Sequence, residues 1–166
     1  MTTHVFRATC LHEEVCYREI EVPGSRSLYA LAEAIVDAFD FDFDHAFGFY
    51  SALGEDYHGS EIRYELFVDM GEAESFAGTN GGNRPRSVKK TKIAQAFTEA
   101  GQTMQFLFDY GDDWRFEVQW IATGKQYKGK TYPVILASVG EAPQQYPDWD
   151  DEWDDEDEEE EKEENQ

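Results

Sequence analysis

The densest potential chemistry in the chain lies in the run Asp109-Tyr110-Gly111-Asp112-Asp113. Neighbouring carboxylates on a rigid strand-turn-strand can coordinate Mg²⁺ and orient a phosphate. Asp109, Asp112 and Asp113 are therefore candidate ligands for a divalent-metal-dependent enzyme acting on nucleic acid. Gly-Asp is also what an ordinary hairpin turn wants, because glycine accepts positive φ and aspartate bonds to its own backbone. The turn reading takes precedence, so no catalytic residue and no metal ligand is assigned. Tyr110, Asp112, Asp113 and Trp114 are kept as candidate binding residues.

Other constellations point less far. Asp40-Phe41-Asp42-Phe43-Asp44 starts like a calcium loop, but His45 and Ser51 stand where that loop needs glycine and glutamate. Alternating Phe and Asp fits a helix exit running into a half-buried strand. Cys10, His12 and Cys16 have no standard zinc spacing and would need His45 or His58 as a fourth ligand, so buried thiols are the simpler reading. No G-x-S-x-G is present, and the glycines at 78, 81 and 82 make no phosphate-binding loop. No cofactor is expected. Arg84, Arg86, Lys89, Lys90 and Lys92 form a basic cluster that can contact phosphates or offset nearby acid.

These residues are positioned by elements that can be read from periodicity. A loop at Glu13-Glu14-Val15 would set His12 opposite Cys16, Ala8 opposite Ile20 and Phe6 opposite Val22, giving one mostly apolar face. In that register Cys16 faces His12 rather than Cys10, which argues against a disulfide. Leu28, Leu31, Ala32, Ile35 and Phe39 predict a helix over 27–39, capped by Ser25 or Ser27, with its stripe on a sheet. Strands are expected at His45–Ala52, Ile62–Asp69 and Val134–Val139, and a short helix over 91–100 ending at Gly101. Phe106, Phe108 and Tyr110 alternate on one side of the strongest hairpin, with Trp114, Phe116, Val118 and Trp120 on its return. Residues 71–90 read as a long mobile loop. The fold class is α+β, a mostly antiparallel β-sheet with one main helix and a short second one.

Charge sets the boundaries. The chain has 166 residues with 36 Asp+Glu against 14 Lys+Arg, a net of −22, yet 40% of it is hydrophobic and 15% aromatic. Residues 148–166 hold 14 acids and one lysine. Such a segment repels itself and has little to bury, so a domain over 1–147 with a disordered acidic tail over 148–166 is expected. Trp149 and Trp153 would pin the start of the tail. The chain shows neither a secretory signal pattern at its start nor an apolar run long enough to span a membrane, so a cytoplasmic location is expected, with no membrane partner. The acid excess argues against direct nucleic-acid binding.

Phe108-Asp109-Tyr110-Gly111-Asp112-Asp113-Trp114-Arg115-Phe116-Glu117 resembles the hallmark Y-D-F-G-D-x-W-x-H of the plasmid pRiA4b ORF-3-like family, which includes passenger proteins of insertion sequences. Cys16-Tyr17-Arg18-Glu19-Ile20-Glu21-Val22, the helix over Leu28–Phe39 and Asp44-His45-Ala46-Phe47-Gly48-Phe49-Tyr50 follow in the family's usual order, so the resemblance spans roughly 4–147. Phe116 stands where the family usually has histidine, and Gly140 to Pro147 lacks the family's cysteine and Pro-Pro-Glu-Asp elements. The resemblance implies an α+β fold and an association with mobile elements or plasmids.

The leading expectation is a non-enzymatic interaction module. Its acidic tail would meet a basic protein partner or the chain's own basic loop at 84–92. A metal-dependent enzyme using Asp109, Asp112 and Asp113 is the alternative, and direct nucleic-acid binding through 84–92 a weaker one. Oligomeric state is not specified by these patterns.

Overall fold

Ser27 opens the main helix as its N-cap, its hydroxyl accepting the Ala30 N–H at 3.2 Å. Helix α1 (Leu28–Ala38) buries Leu28, Leu31, Ala32 and Ile35 completely, together with Phe39 just beyond its end. The stripe lies against strands, as its spacing requires. The computed structural model describes residues 1–12, 14, 16–71 and 84–147. Its strands are β1 (Thr2–Cys10), β2 (Cys16–Pro23), β3 (Phe47–Tyr50), β4 (Arg63–Glu65), β5 (Thr103–Phe108), β6 (Trp114–Lys125) and β7 (Val134–Val139). They form one antiparallel sheet in the order β4-β3-β5-β6-β1-β2-β7. The fold is α+β with few helices. None of the helices among the described residues is long and apolar enough to cross a membrane.

The face under α1 is an aromatic core. Phe6, Phe47, Phe49, Phe106, Phe108 and Phe116 are fully buried, with ring centroids 4.9 Å apart for Phe39 and Phe116 and for Phe49 and Phe106. Such tilted pairs add roughly 0.5–1.5 kcal/mol each beyond area burial. Phe116 therefore fills, with carbon, the position where the hallmark carries histidine. A smaller cluster of Tyr50, Tyr57 and Leu107 covers the opposite face near β3 and β5.

Several expectations need correction. The β1–β2 register is offset by two residues: Cys10 pairs with Cys16, Ala8 with Arg18 and Phe6 with Ile20. A two-residue slip leaves every side chain on its own face, so alternation does not detect it. Arg7 then lies opposite Glu19, and their ion pair closes at 2.6 Å. The segment Ile62–Asp69 is split, since β4 stops at Glu65 and a short helix α2 (Leu66–Asp69) follows. The second expected helix shrinks to α3 (Ile93–Ala96).

Residues 84–90 are not a free loop. Arg86 donates its N–H to the Arg63 carbonyl and accepts the Glu65 N–H, while Val88 is fully buried and its carbonyl accepts the Tyr29 N–H. The remainder of the expected loop, 72–83, lies outside the described residues, as do the acidic segment 148–166 and the pinning role of Trp149 and Trp153.

Candidate functional site

The hallmark turn joins β5 to β6 and is organised by Asp109. This residue takes φ 63° and is buried. Aspartate tolerates that left-handed conformation because its side chain can bond locally. Its Oδ1 accepts the N–H groups of Gly111 (3.1 Å) and Asp112 (3.2 Å), and its carbonyl accepts the Asp113 N–H at 2.6 Å. Its own N–H donates to Ala46 O at 2.9 Å, tying the turn to the chain entering β3. Asp113, also left-handed at φ 59°, forks onto the Arg115 guanidinium at 3.0 and 2.7 Å. Asp112 is exposed on the crest.

The three carboxylates that adjacency offers as metal ligands thus have separate roles. Among the described residues, no three of His, Cys, Asp and Glu are arranged to hold a metal ion. The Asp40–Asp44 run is the helix exit its alternation suggests, with Phe41 buried and Asp40 at φ 59°.

Tyr110 departs from the expected side. The left-handed Asp109 breaks the alternation, so Phe108 enters the core under α1 while Tyr110 packs on the opposite face against Tyr50 and Leu107. The Tyr50 hydroxyl donates to Glu65 Oε2 at 2.5 Å, so the contact of 2.6 Å between the tyrosine hydroxyls has Tyr110 as donor. Glu65 is fully buried. Burial, with the neighbouring ionisable groups, pushes the Tyr50 hydroxyl far above the ordinary tyrosine range. Burial likewise raises Tyr110. Neither phenol is poised to give up a proton at neutral pH. Gly48 is required here because a Cβ would stand 2.8 Å from both hydroxyl oxygens.

On the core-side edge of the turn, His45 Nδ1 lies 2.7 Å from Asp44 Oδ1, and its Nε2 lies 3.5 Å from Asp109 Oδ2. The Asp44 hydrogen bond, helped by the Asp109 charge, raises the His45 pKa. The Tyr146 hydroxyl donates to Asp44 Oδ2 at 2.7 Å, and Gln145 bonds the Asp42 backbone at 2.7 and 3.1 Å. These bonds fasten the segment after β7 to the loop before β3. His45 and His58 are occupied away from the cysteines, His58 stacking on Tyr57.

Trp114, the last residue of the candidate binding set, points to the feature that sequence reasoning missed. It lines a cavity of about 400 Å³ together with Cys10, His12, Glu14, Cys16 and the segment Glu141 to Gln144 with Pro147. Trp114 is 7% exposed, and its indole Nε1 has no hydrogen-bond partner among the described residues. The ring lies 4.2 Å from that of His12. Both thiols are free and buried, and burial pushes Cys10 up to about 11. Arg18 Nη1 donates to Cys16 Sγ at 3.6 Å. The cavity is assembled from three stretches far apart in sequence, and the register expected from alternation keeps the two cysteines apart.

The basic cluster lies elsewhere, beside α1 and β4. Arg84, Arg86, Lys89, Lys90 and Lys92 are all exposed, with Lys89 Nζ 5.0 Å from the Tyr29 ring centroid.

No curated protein matches the chain. The fold is similar to the crystal structure of a protein of unknown function from Methanosarcina mazei Go1, with a TM-score of 0.61 and 19% identity over 82% of this chain and 69% of that one. At that identity the likeness shows the fold. The family model for the plasmid pRiA4b ORF-3-like protein matches residues 10–163, from Cys10 in the cavity wall, through the Asp109–Trp114 turn, into the acidic segment. The chain belongs to the plasmid pRiA4b ORF-3-like protein family.

Proposed function

We propose that the protein is a non-enzymatic interaction module of plasmids or mobile elements that binds a basic protein partner through the acidic end of its domain. One observation carries this reading: two kinds of carboxylate are kept apart. Asp109 and Asp113 are bonded within the turn, to backbone N–H groups and to Arg115. Glu14 and Glu141 are exposed on the wall of the Trp114 cavity, where Pro147 leads into the 14 acids of 148–166. Uncommitted negative charge at one end draws a cationic partner from a distance and is weakened by salt. Membership in a family named for a plasmid reading frame supports the link to mobile elements.

The test is calorimetry of the full chain with a lysine-rich peptide over a salt series, repeated with the acids of 148–166 replaced by Asn and Gln. Binding that weakens with salt and is lost on neutralisation supports the reading. Binding that neutralisation leaves unchanged overturns it.

Direct nucleic-acid binding is favoured by the exposure of all five bases in 84–92. It predicts a steep salt dependence toward duplex DNA that disappears when the five are changed to Gln.

A further inference from the structure

The register of β1 and β2 sets the two cysteines of the chain directly opposite each other, Cys10 pairing with Cys16 at the end of the antiparallel hairpin. Residues so placed send their side chains to the same face, with Cα atoms about 4.5–5.5 Å apart. A disulfide spans Cα separations of about 4.4–6.8 Å, so the backbone already has the reach that the bond needs. Both thiols are free. Burial pushes Cys10 up to about 11, and charge on Cys16 acts in the same direction, which places the two sulfurs within each other's field.

Arg18 makes the two sulfurs unequal. Its guanidinium is buried within hydrogen-bond reach of the carbonyls of Tyr17, Ala38, Val139 and Gly140, and of Cys16 Sγ at 3.6 Å. The carbonyls hold the group in place, and among the described residues no carboxylate pairs with it. A guanidinium stabilises the negative charge of a reacting sulfur, so Cys16 is the nucleophile of the pair. Cys10 keeps its proton at neutral pH and is the partner that resolves the intermediate. Both side chains line the cavity beside Trp114, and each residue is 3% exposed, which limits entry to small molecules.

We propose that Cys10 and Cys16 are a peroxide-sensitive thiol pair, which hydrogen peroxide entering the cavity converts to a disulfide across β1 and β2. The Cys16 sulfur attacks the peroxide and the O–O bond breaks. A sulfenic acid forms on Cys16, and the Cys16 proton leaves with the departing hydroxide as water. The Cys10 sulfur then attacks the Cys16 sulfur, the S–O bond breaks, and the Cys10 proton leaves with that hydroxide as a second water. Two thiols lose two electrons, and one peroxide is reduced to two waters. The proximity of the second sulfur favours this step over further oxidation of Cys16 to sulfinic acid. The pair is independent of the acidic end on which the module reading rests.

The experiment treats the native full chain with hydrogen peroxide and then blocks the remaining thiols with iodoacetamide in denaturant. Mass spectrometry reads the tryptic peptide 8–18, which carries both cysteines. The expected product is that peptide lighter by two hydrogens, unlabelled by iodoacetamide until dithiothreitol restores the thiols. In Cys10→Ala, dimedone is expected to trap a sulfenic acid on Cys16, formed about tenfold faster than one on Cys10 in Cys16→Ala. Sulfinic acid on either cysteine without loss of the two hydrogens overturns the proposal, as does a disulfide joining two chains. Oxidation in denaturant but not in the native chain also overturns it, since the pair is then out of the oxidant's reach. Equal trapping in the two variants overturns the assignment of Cys16 as nucleophile. The wild-type product decides the pair even where a variant fails to fold.

Discussion

Phe108 and Tyr110 are two residues apart yet pack on opposite faces of the sheet, because Asp109 between them takes φ 63°. An uninterrupted strand would keep them on one side. The hallmark turn thereby sends Phe108 into the aromatic core, Tyr110 to Tyr50 and Glu65, and Trp114 to the cavity. One backbone conformation distributes three side chains.

Asp109 should accordingly be the most sensitive position in the turn. Asp109→Ala loses an acceptor shared by two N–H groups and places an ordinary side chain in left-handed backbone, an expected cost of about 2–4 kcal/mol. Asp109→Asn keeps the acceptor and tolerates the conformation, so it should cost less than half as much. Urea denaturation of the two variants measures this; equal costs would show that Oδ1 is not what holds the turn.

Gly48→Ala should destabilise by about 1–3 kcal/mol through overpacking, since the added Cβ meets both tyrosine hydroxyls. Tyr110→Phe removes one of the two oxygens and should recover part of that loss. A double-mutant cycle gives the coupling, and strict additivity would refute the contact.

His45 should add a pH-dependent contribution to stability. Its folded pKa is raised by Asp44 and then by Asp109, so the contribution is fully present below the unfolded value near 6.5 and is lost as pH rises through the folded value. Because the side chain is about two-fifths exposed, the slope should be shallow. Comparing denaturation midpoints with His45→Gln across that window isolates it. A stability difference that grows with rising pH would reverse the assignment.

Cys10 should resist alkylation in the native protein. With its pKa pushed up to about 11 by burial, little thiolate is present at neutral pH. Iodoacetamide at pH 7.5 should leave Cys10 unmodified in buffer and label it rapidly in denaturant, as read by peptide mass spectrometry. Rapid native labelling would mean that the cavity floor opens to solvent.

The aromatic hairpin illustrates how far local pattern alone reaches. Phe106 and Phe108 share a face with Trp114, Phe116 and Val118 across β5 and β6, as alternation implies, but Phe108 rather than Tyr110 stands opposite Trp114. Helix α1 is equally legible, because the Ser27 cap and the apolar stripe are local signals. Segments 84–90 and 62–69 depart from their local pattern because their conformation comes from distant partners: Arg86 pairs with Arg63 and Glu65, and Val88 fills a space beside α1.

By itself the amino-acid order determined the α+β class, the main helix, the β5–β6 hairpin, the strand at Val134–Val139 and the concentration of acid after Pro147. Each rests on residues a few positions apart, where periodicity and charge act directly. The tertiary structure alone decided that Cys10 faces Cys16, that Tyr110 leaves the core, and that Trp114 shares a cavity with Glu14 and Glu141. The period-two pattern of a strand is unchanged by a two-residue slip, and a pocket wall drawn from residues 10–16, 114 and 141–147 exists only once the sheet has brought them together.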